Sequence, residues 1–147
     1  MSKIVQALLT GIFFTFILDF FIFLGIKLNY IDFYEIDLYY NILFADNQNI
    51  YIFSFFSILI GFIITYINKN KITFSTLGLF FFFAMLTLIE PIGYSLGESM
   101  FMKKNSTLKD KKFTFYGDIY YEGRTKITFY DHELKKTILL NKKDLIK

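Results

Sequence analysis

The sequence predicts a membrane all-α region of three transmembrane helices followed by a small C-terminal antiparallel β module, for which an SH3-like half barrel is one candidate form. Three observations carry this. Residues 1–102 contain three long apolar runs: Ile4–Ile26, Ile50–Ile67 and Ile72–Ile89, the last two without a charge. Residues 113–147 alternate in strand fashion between turn signals. Charge divides at the same place: residues 1–102 hold four Lys and seven acids, whereas residues 103–147 hold twelve Lys or Arg and six acids.

The predicted plan is a transmembrane region over 1–102, with helices at about 4–27, 50–67 and 72–98 and a surface loop at 28–49. A polar linker at 103–112 and the β module at 113–147 follow. Of the 147 residues 54% are hydrophobic, and they are gathered into runs, so the bilayer replaces much of the usual core. The chain has no Cys, which excludes disulfides, thiol catalysis and Cys-based metal sites. The excess of Phe, Ile, Tyr, Asn and Lys is that expected of an AT-rich bacterial genome, and the expected location is a bacterial inner membrane.

The first run is bracketed by Lys3 and Lys27, and Asp19 is its only charge. It is too long for the apolar part of a signal peptide and lacks a small-x-small site before Lys27, so an uncleaved helix fits better. The loop after it has no Lys or Arg, but carries Asp32, Glu35, Asp37 and Asp46 among many aromatic residues. Rings with polar edges favour the headgroup zone, and a short helix is expected around Phe33–Leu43. Asn68–Lys71 is a tight polar turn between the second and third spans. Pro91 removes one backbone hydrogen bond and should kink the third.

In the β module Phe115, Ile119 and Tyr121 share one parity, as do Ile127 and Phe129 in the next run. Gly117 is expected to mark a bulge or corner. Three or four strands in a meander bury too little to stand securely alone. The module should lean on the membrane face, the acidic loop, a second copy or a partner. Membrane helices followed by a small β barrel resemble the plan of NfeD-type membrane proteins, whose tail is an OB-fold. That resemblance is of architecture alone; this tail is shorter, no residue motif is shared, and no site is carried over.

Lys3, Lys69 and Lys71 would lie on the cytoplasmic side if the amino terminus does, leaving the lysine-free loop and the β module outside. Lys103, Lys104, Lys109, Lys111 and Lys112 pull the other way. The first helix and the lysine-free loop are given more weight, so the module is expected on the external face.

The expected site is an intramembrane polar pair, Asp19 and Glu90. Ala7, Gly11, Thr15 and Asp19 form one stripe at four-residue spacing; Ser54, Ser57, Gly61 and Thr65 form a second; Thr87, Glu90, Gly93 and Gly97 form a third. Small and hydroxylated stripes let membrane helices approach and hydrogen-bond. Both acids fall roughly 6–8 Å past the middle of their spans, in the same half of the bilayer. They either carry a proton or cation or join helices as protonated hydrogen-bond donors. Asp131-His132-Glu133 is read as a solvated turn rather than a metal site. No phosphate loop or nucleophile elbow is present, and no nucleic-acid partner, cofactor or metal is expected.

The expected function is non-enzymatic: a membrane accessory or assembly protein that binds a partner through the β module and acidic loop. The partners would be the lipid bilayer and either another membrane protein or further copies of the chain. The alternative is a proton- or cation-coupled component of a membrane complex using Asp19 and Glu90.

Overall fold

The computed structural model describes residues 2–67 and 69–146. Helix α1 (Lys3–Ile26) begins at Ser2, whose hydroxyl accepts the Val5 N–H at 3.3 Å and satisfies a donor that the helix leaves open. α1 continues without a break through a π-helical turn, Lys27–Ile31. The result is one apolar rod of 29 residues, Lys3–Ile31, long enough to cross a membrane and about 43 Å in length.

Two further helix pairs are apolar and long enough only when each pair is taken as a unit, and both are sharply bent. α2 (Tyr40–Asn47) meets α3 (Ile50–Tyr66) at 87°, and α4 (Asn70–Leu86) meets α5 (Glu90–Phe101) at 81°. α3 and α4 have 17 residues each, about 25 Å. The Asn49 side chain starts α3 by accepting the Tyr51 and Ile52 N–H groups.

The third helix expected over 72–98 is therefore two helices, and Pro91 explains the break. Proline has no N–H to give the carbonyl four residues back, which is that of Thr87. The chain leaves the helix after Leu86, Ile89 turns extended, and α5 restarts with the proline in its first turn, where a missing N–H costs nothing.

The stretch expected as a surface loop, 28–49, supplies a core instead. Tyr30, Ile31, Ile36 and Leu43 are buried with Phe23, Ile26 and Tyr121. They form a layer between the C-terminal half of α1 and the sheet. The short helix lies at Tyr40–Asn47, later than the expected 33–43. A chain this rich in aromatic and branched residues buries them when a second surface is at hand, and the β module is that surface.

The expected linker, 103–112, is also corrected. Lys103–Lys109 is strand β1, following α5 directly. It has little alternation of its own, and pairing decides its state: Leu108 lies opposite Phe115 and Ser106 opposite Gly117. The sheet is an antiparallel meander in the order β1, β2 (Thr114–Glu122), β3 (Lys126–Asp131), β4 (Lys136–Asn141). One face holds Ile119, Ile127 and Phe129, flanked by Leu108, Phe115, Ile138, Leu140 and Leu145. The end of the chain returns to β1, where Asp110 bridges Leu145 and the Ile146 N–H donates to the Lys109 carbonyl at 2.8 Å. The sheet thus curls around its own small core.

Phe115 and Ile119 point into that core as their parity requires, but Tyr121 does not. The register slips between Ile119 and Tyr121. Such a bulge re-aims the next side chain, and Tyr121 enters the helical core. Gly117, expected at a bulge or corner, flanks one: the register shifts between Lys103, paired with Ile119, and Ser106, paired with Gly117. It is glycine because a Cβ there would collide with the Tyr130 carbonyl.

Candidate functional site

Two of the three small-residue stripes meet as their spacing requires. A Cβ added to Gly11 would collide with the Ser57 carbonyl, and one added to Gly61 with that of Ala7. α1 and α3 therefore approach backbone to backbone, with Ala7, Gly11, Thr15, Ser57 and Gly61 buried in the seam and Ser54 exposed.

The third stripe serves a different contact. Thr87, Gly93 and Gly97 are buried against the C-terminal end of the rod Lys3–Ile31, not against the α1–α3 seam. A Cβ on Gly25 would strike Thr87, one on Gly93 would strike Thr87 and Asn29, and one on Gly97 would strike the Tyr30 ring. Glu90 falls off the stripe, because the chain breaks between Thr87 and α5, and it is exposed at the helix start. The spacing argument assumed one continuous helix across that point.

Asp19 and Glu90 consequently have separate surroundings. Asp19 is half-buried and its Oδ2 accepts a hydrogen bond from Gln48 Nε2 at 2.9 Å. The carbonyl freed by Pro91 is taken by neither acid: Asn29 Nδ2 donates to Thr87 O at 3.0 Å. Gln48 and Asn29 were not singled out from sequence. Their signal was position alone, polar amides at the ends of apolar runs.

Three consecutive residues of α1 meet the α2–α3 corner, the start of α2 and the α4–α5 break. Gln48, at the α2–α3 corner, bonds Asp19. Tyr40 Oη donates to the Phe20 carbonyl at 3.0 Å. The Thr87 hydroxyl, at the α4–α5 break, lies 2.7 Å from the Ala84 carbonyl and 3.2 Å from that of Phe21. Asp19, Phe20 and Phe21 thus mark one level at which the other helices turn through nearly a right angle.

Just inside that level is a cleft. The α3 and α4 backbones stay apart for most of their length and meet through side chains, with Phe56 and Phe80 edge to face at 6.0 Å over Leu18, Ile60 and Ala84. The gap holds a cavity of roughly 270 Å³ lined by Thr15, Asp19, Ile52, Phe56, Phe80 and Phe83, among others. Glu90 does not line it. Thr15 is 2% exposed and its hydroxyl has no hydrogen-bond partner; the Ser57 hydroxyl in the seam is likewise unpartnered.

Beyond that level the β module is fastened to the helices. Tyr30 Oη donates to the Tyr120 carbonyl at 2.8 Å, and the Tyr34 ring, whose hydroxyl is 2.5 Å from that of Tyr94 on α5, lies 4.0 Å from the Tyr120 ring. Tyr121 is 4% exposed within the helical core. Arg124 grips Asp46 with two nitrogens, Nε at 2.7 Å from Oδ2, and Lys104 pairs with Glu98 at 2.5 Å. The hydrogen bonds from Arg124 hold the Asp46 carboxyl below its ordinary value. Part of the acid of residues 1–102 is thereby spent on the basic module of the same chain.

His132 lies in an exposed turn, where its Nε2 is 3.0 Å from Asp118 Oδ2. Burial pushes the Asp118 carboxyl up, but the His132 and Asn105 N–H contacts outweigh it and the net shift is downward. Among the described residues no three His, Cys, Asp or Glu side chains gather as a metal site.

No protein-family model matches the chain, and no curated protein or solved structure matches it.

Proposed function

We propose that this chain is a small integral membrane protein with three spans, α1, α3 and α4. In this reading it is a non-enzymatic accessory or assembly subunit that presents its β module to a partner. The observation that carries the proposal is Tyr121. By entering the core built on α1, it keys the module to the helices in one orientation instead of leaving it on a tether. A fixed platform loses little further entropy when a partner docks.

The partner-facing surface would be the module's outer end. Lys109, Lys111, Lys112, Lys135 and Lys136 are exposed there and make no ion pair among the described residues. An acidic protein surface suits them. The acidic loop contributes less than its sequence suggests, since Asp46 is engaged with Arg124.

The level at Asp19–Phe21 supports a hydrocarbon layer spanned by α3, α4 and the first half of α1, with α2 and α5 lying flat where the headgroups begin. The amino terminus would face the cytoplasm and the module the outside of a bacterial inner membrane. The alternative, proton or cation coupling through Asp19 and Glu90, is supported by the cleft at Asp19 and weakened by the exposure of Glu90.

The test is capture of partners by the full chain in mild detergent, beside a variant with Lys109, Lys111 and Lys112 changed to Gln. A membrane-associated protein retained by the first and lost from the second is expected. Identical capture by both would reject the module as the binding surface.

A further inference from the structure

We infer that the cleft between α3 and α4 is a phospholipid site, which takes an acyl chain between the helices and the primary ammonium of an ethanolamine headgroup on Asp19. This rests on the reading of α1, α3 and α4 as membrane spans.

The argument begins with what the cleft would face. Its walls are Ile52, Phe56, Phe80 and Phe83, which in a bilayer meet lipid. A gap of roughly 270 Å³ leaves its lining without dispersion partners unless something fills it. Hydrocarbon is the abundant apolar filler at that depth, and a chain is narrow enough to enter between two backbones that stay apart, beside the Phe56–Phe80 contact.

The polar groups decide which lipid. The cleft is not uniformly apolar: Asp19 lies on its wall, at the level where α2 and α5 turn flat. Thr15, also on the wall, presents a buried hydroxyl with no partner, and a buried polar group in that state is costly. Both features call for a polar ligand beside an apolar one. Gln48 bonds one carboxylate oxygen of Asp19, and no hydrogen bond to the other is present among the described residues. Asp19 also makes no ion pair among the described residues.

An acid on the cleft wall with no base beside it selects for a cation. Among lipids of bacterial type, the ethanolamine headgroup supplies a compact ammonium with three donors, a charge-assisted partner for the free oxygen. A glycerol headgroup supplies no positive charge and brings its phosphate toward the carboxylate. A choline headgroup is cationic but has no N–H to donate. The expected order of preference is therefore ethanolamine, then choline, then glycerol.

The chain has no Trp, so Phe83→Trp would make a single fluorescent reporter on the cleft wall. The full-length variant is placed in vesicles of phosphatidylcholine, and brominated phosphatidylethanolamine, phosphatidylcholine or phosphatidylglycerol is added at equal mole fraction. Quenching should give a relative binding constant for ethanolamine at least fivefold above that for glycerol. Asp19→Asn in the same background should bring that ratio close to one, while Asp19→Glu should keep most of it. Equal quenching by all three lipids, or a preference for glycerol, would overturn the proposal on the Asp19-containing protein alone, whether or not the Asn variant folds. No quenching by any brominated lipid would instead reject the membrane-span reading beneath it.

Discussion

The side-chain amide of Asn29 occupies the carbonyl of Thr87 that Pro91 leaves without a helical donor, at 3.0 Å. The bond joins the C-terminal end of the rod Lys3–Ile31 to the α4–α5 break, and Gly25 and Gly93 leave room for it. Without Asn29 that carbonyl is an unpaired acceptor in a closely packed place. Asn29→Leu should cost about 1–3 kcal/mol, measured as a lowered midpoint of unfolding in detergent. Asn29→Asp, which offers no donor when ionised, should do no better. An unchanged midpoint in both would show that the bend is held by packing alone.

The α1–α3 seam predicts a sharp contrast among glycines. Gly11→Ala and Gly61→Ala must push two backbones apart, because the obstructing atoms are carbonyls and not flexible side chains. Overpacking of this kind costs about 1–3 kcal/mol. Gly78→Ala, with nothing within 4 Å of the added Cβ, should be neutral or slightly stabilising. The comparison can be made by thermal unfolding of the three variants in one detergent.

Tyr121→Ala tests the keying of the sheet. Truncating a large buried aromatic residue costs about 3 kcal/mol or more, and here the loss falls on the joint between two layers. Amide exchange should accelerate in residues 30–43 as well as in β2. Arg124→Ala removes only an exposed pair with Asp46 and should cost far less than Tyr121→Ala. If exchange quickened in the sheet alone, the shared core would be an inadequate account of the attachment.

Glu122 gives the module an acid dependence. Its carboxylate lies 2.8 Å from Lys103 and 2.9 Å from Lys142, whose hydrogen bonds hold it down to about 2. The unfolded value is near 4.3, so the folded pKa is the lower one. Its contribution is complete above the unfolded value and is lost as pH falls from there toward 2. The groups are substantially exposed, so the size is well under about 1 kcal/mol per pair. Glu122→Gln should flatten this part of the stability profile between pH 5 and 3, followed by the near-ultraviolet signal of the tyrosines.

What could be read from the chain alone was set by periodicity within one element. The Gly11–Thr15 and Ser57–Gly61 stripes lie on uninterrupted helices, so four-residue spacing placed them correctly against each other. Thr87, Glu90, Gly93 and Gly97 obey the same spacing across a break, and there the inference failed for Glu90. Pro91 was visible in the sequence, but a kink and an 81° turn are distinguished by what catches the Thr87 carbonyl. That partner is Asn29, 58 residues away. Tyr121 shows the same limit in the sheet: its parity matched Ile119, and only pairing with β3 reveals the slipped register. Strand β1 was missed because Lys103–Lys109 holds one large apolar residue, Leu108, and becomes a strand through its neighbour.

The rod formed by Lys3–Ile31 passes through the level at Asp19 and continues for twelve residues to the tyrosine whose hydroxyl holds Tyr120 and on to Ile31. That extension is about 18 Å of helix, stiff and joined to the sheet at its far end. In the proposed membrane reading it would work as a lever with its fulcrum where the headgroups begin. A change of ten degrees in the inclination of α1 would carry the far end sideways by roughly 3 Å, given that length. Helices with fixed apolar lengths respond to a thinner or thicker bilayer by changing inclination. If α1, α3 and α4 span a bilayer as proposed, its thickness would be converted into displacement of the sheet through the inclination of α1 and of α3 packed against it.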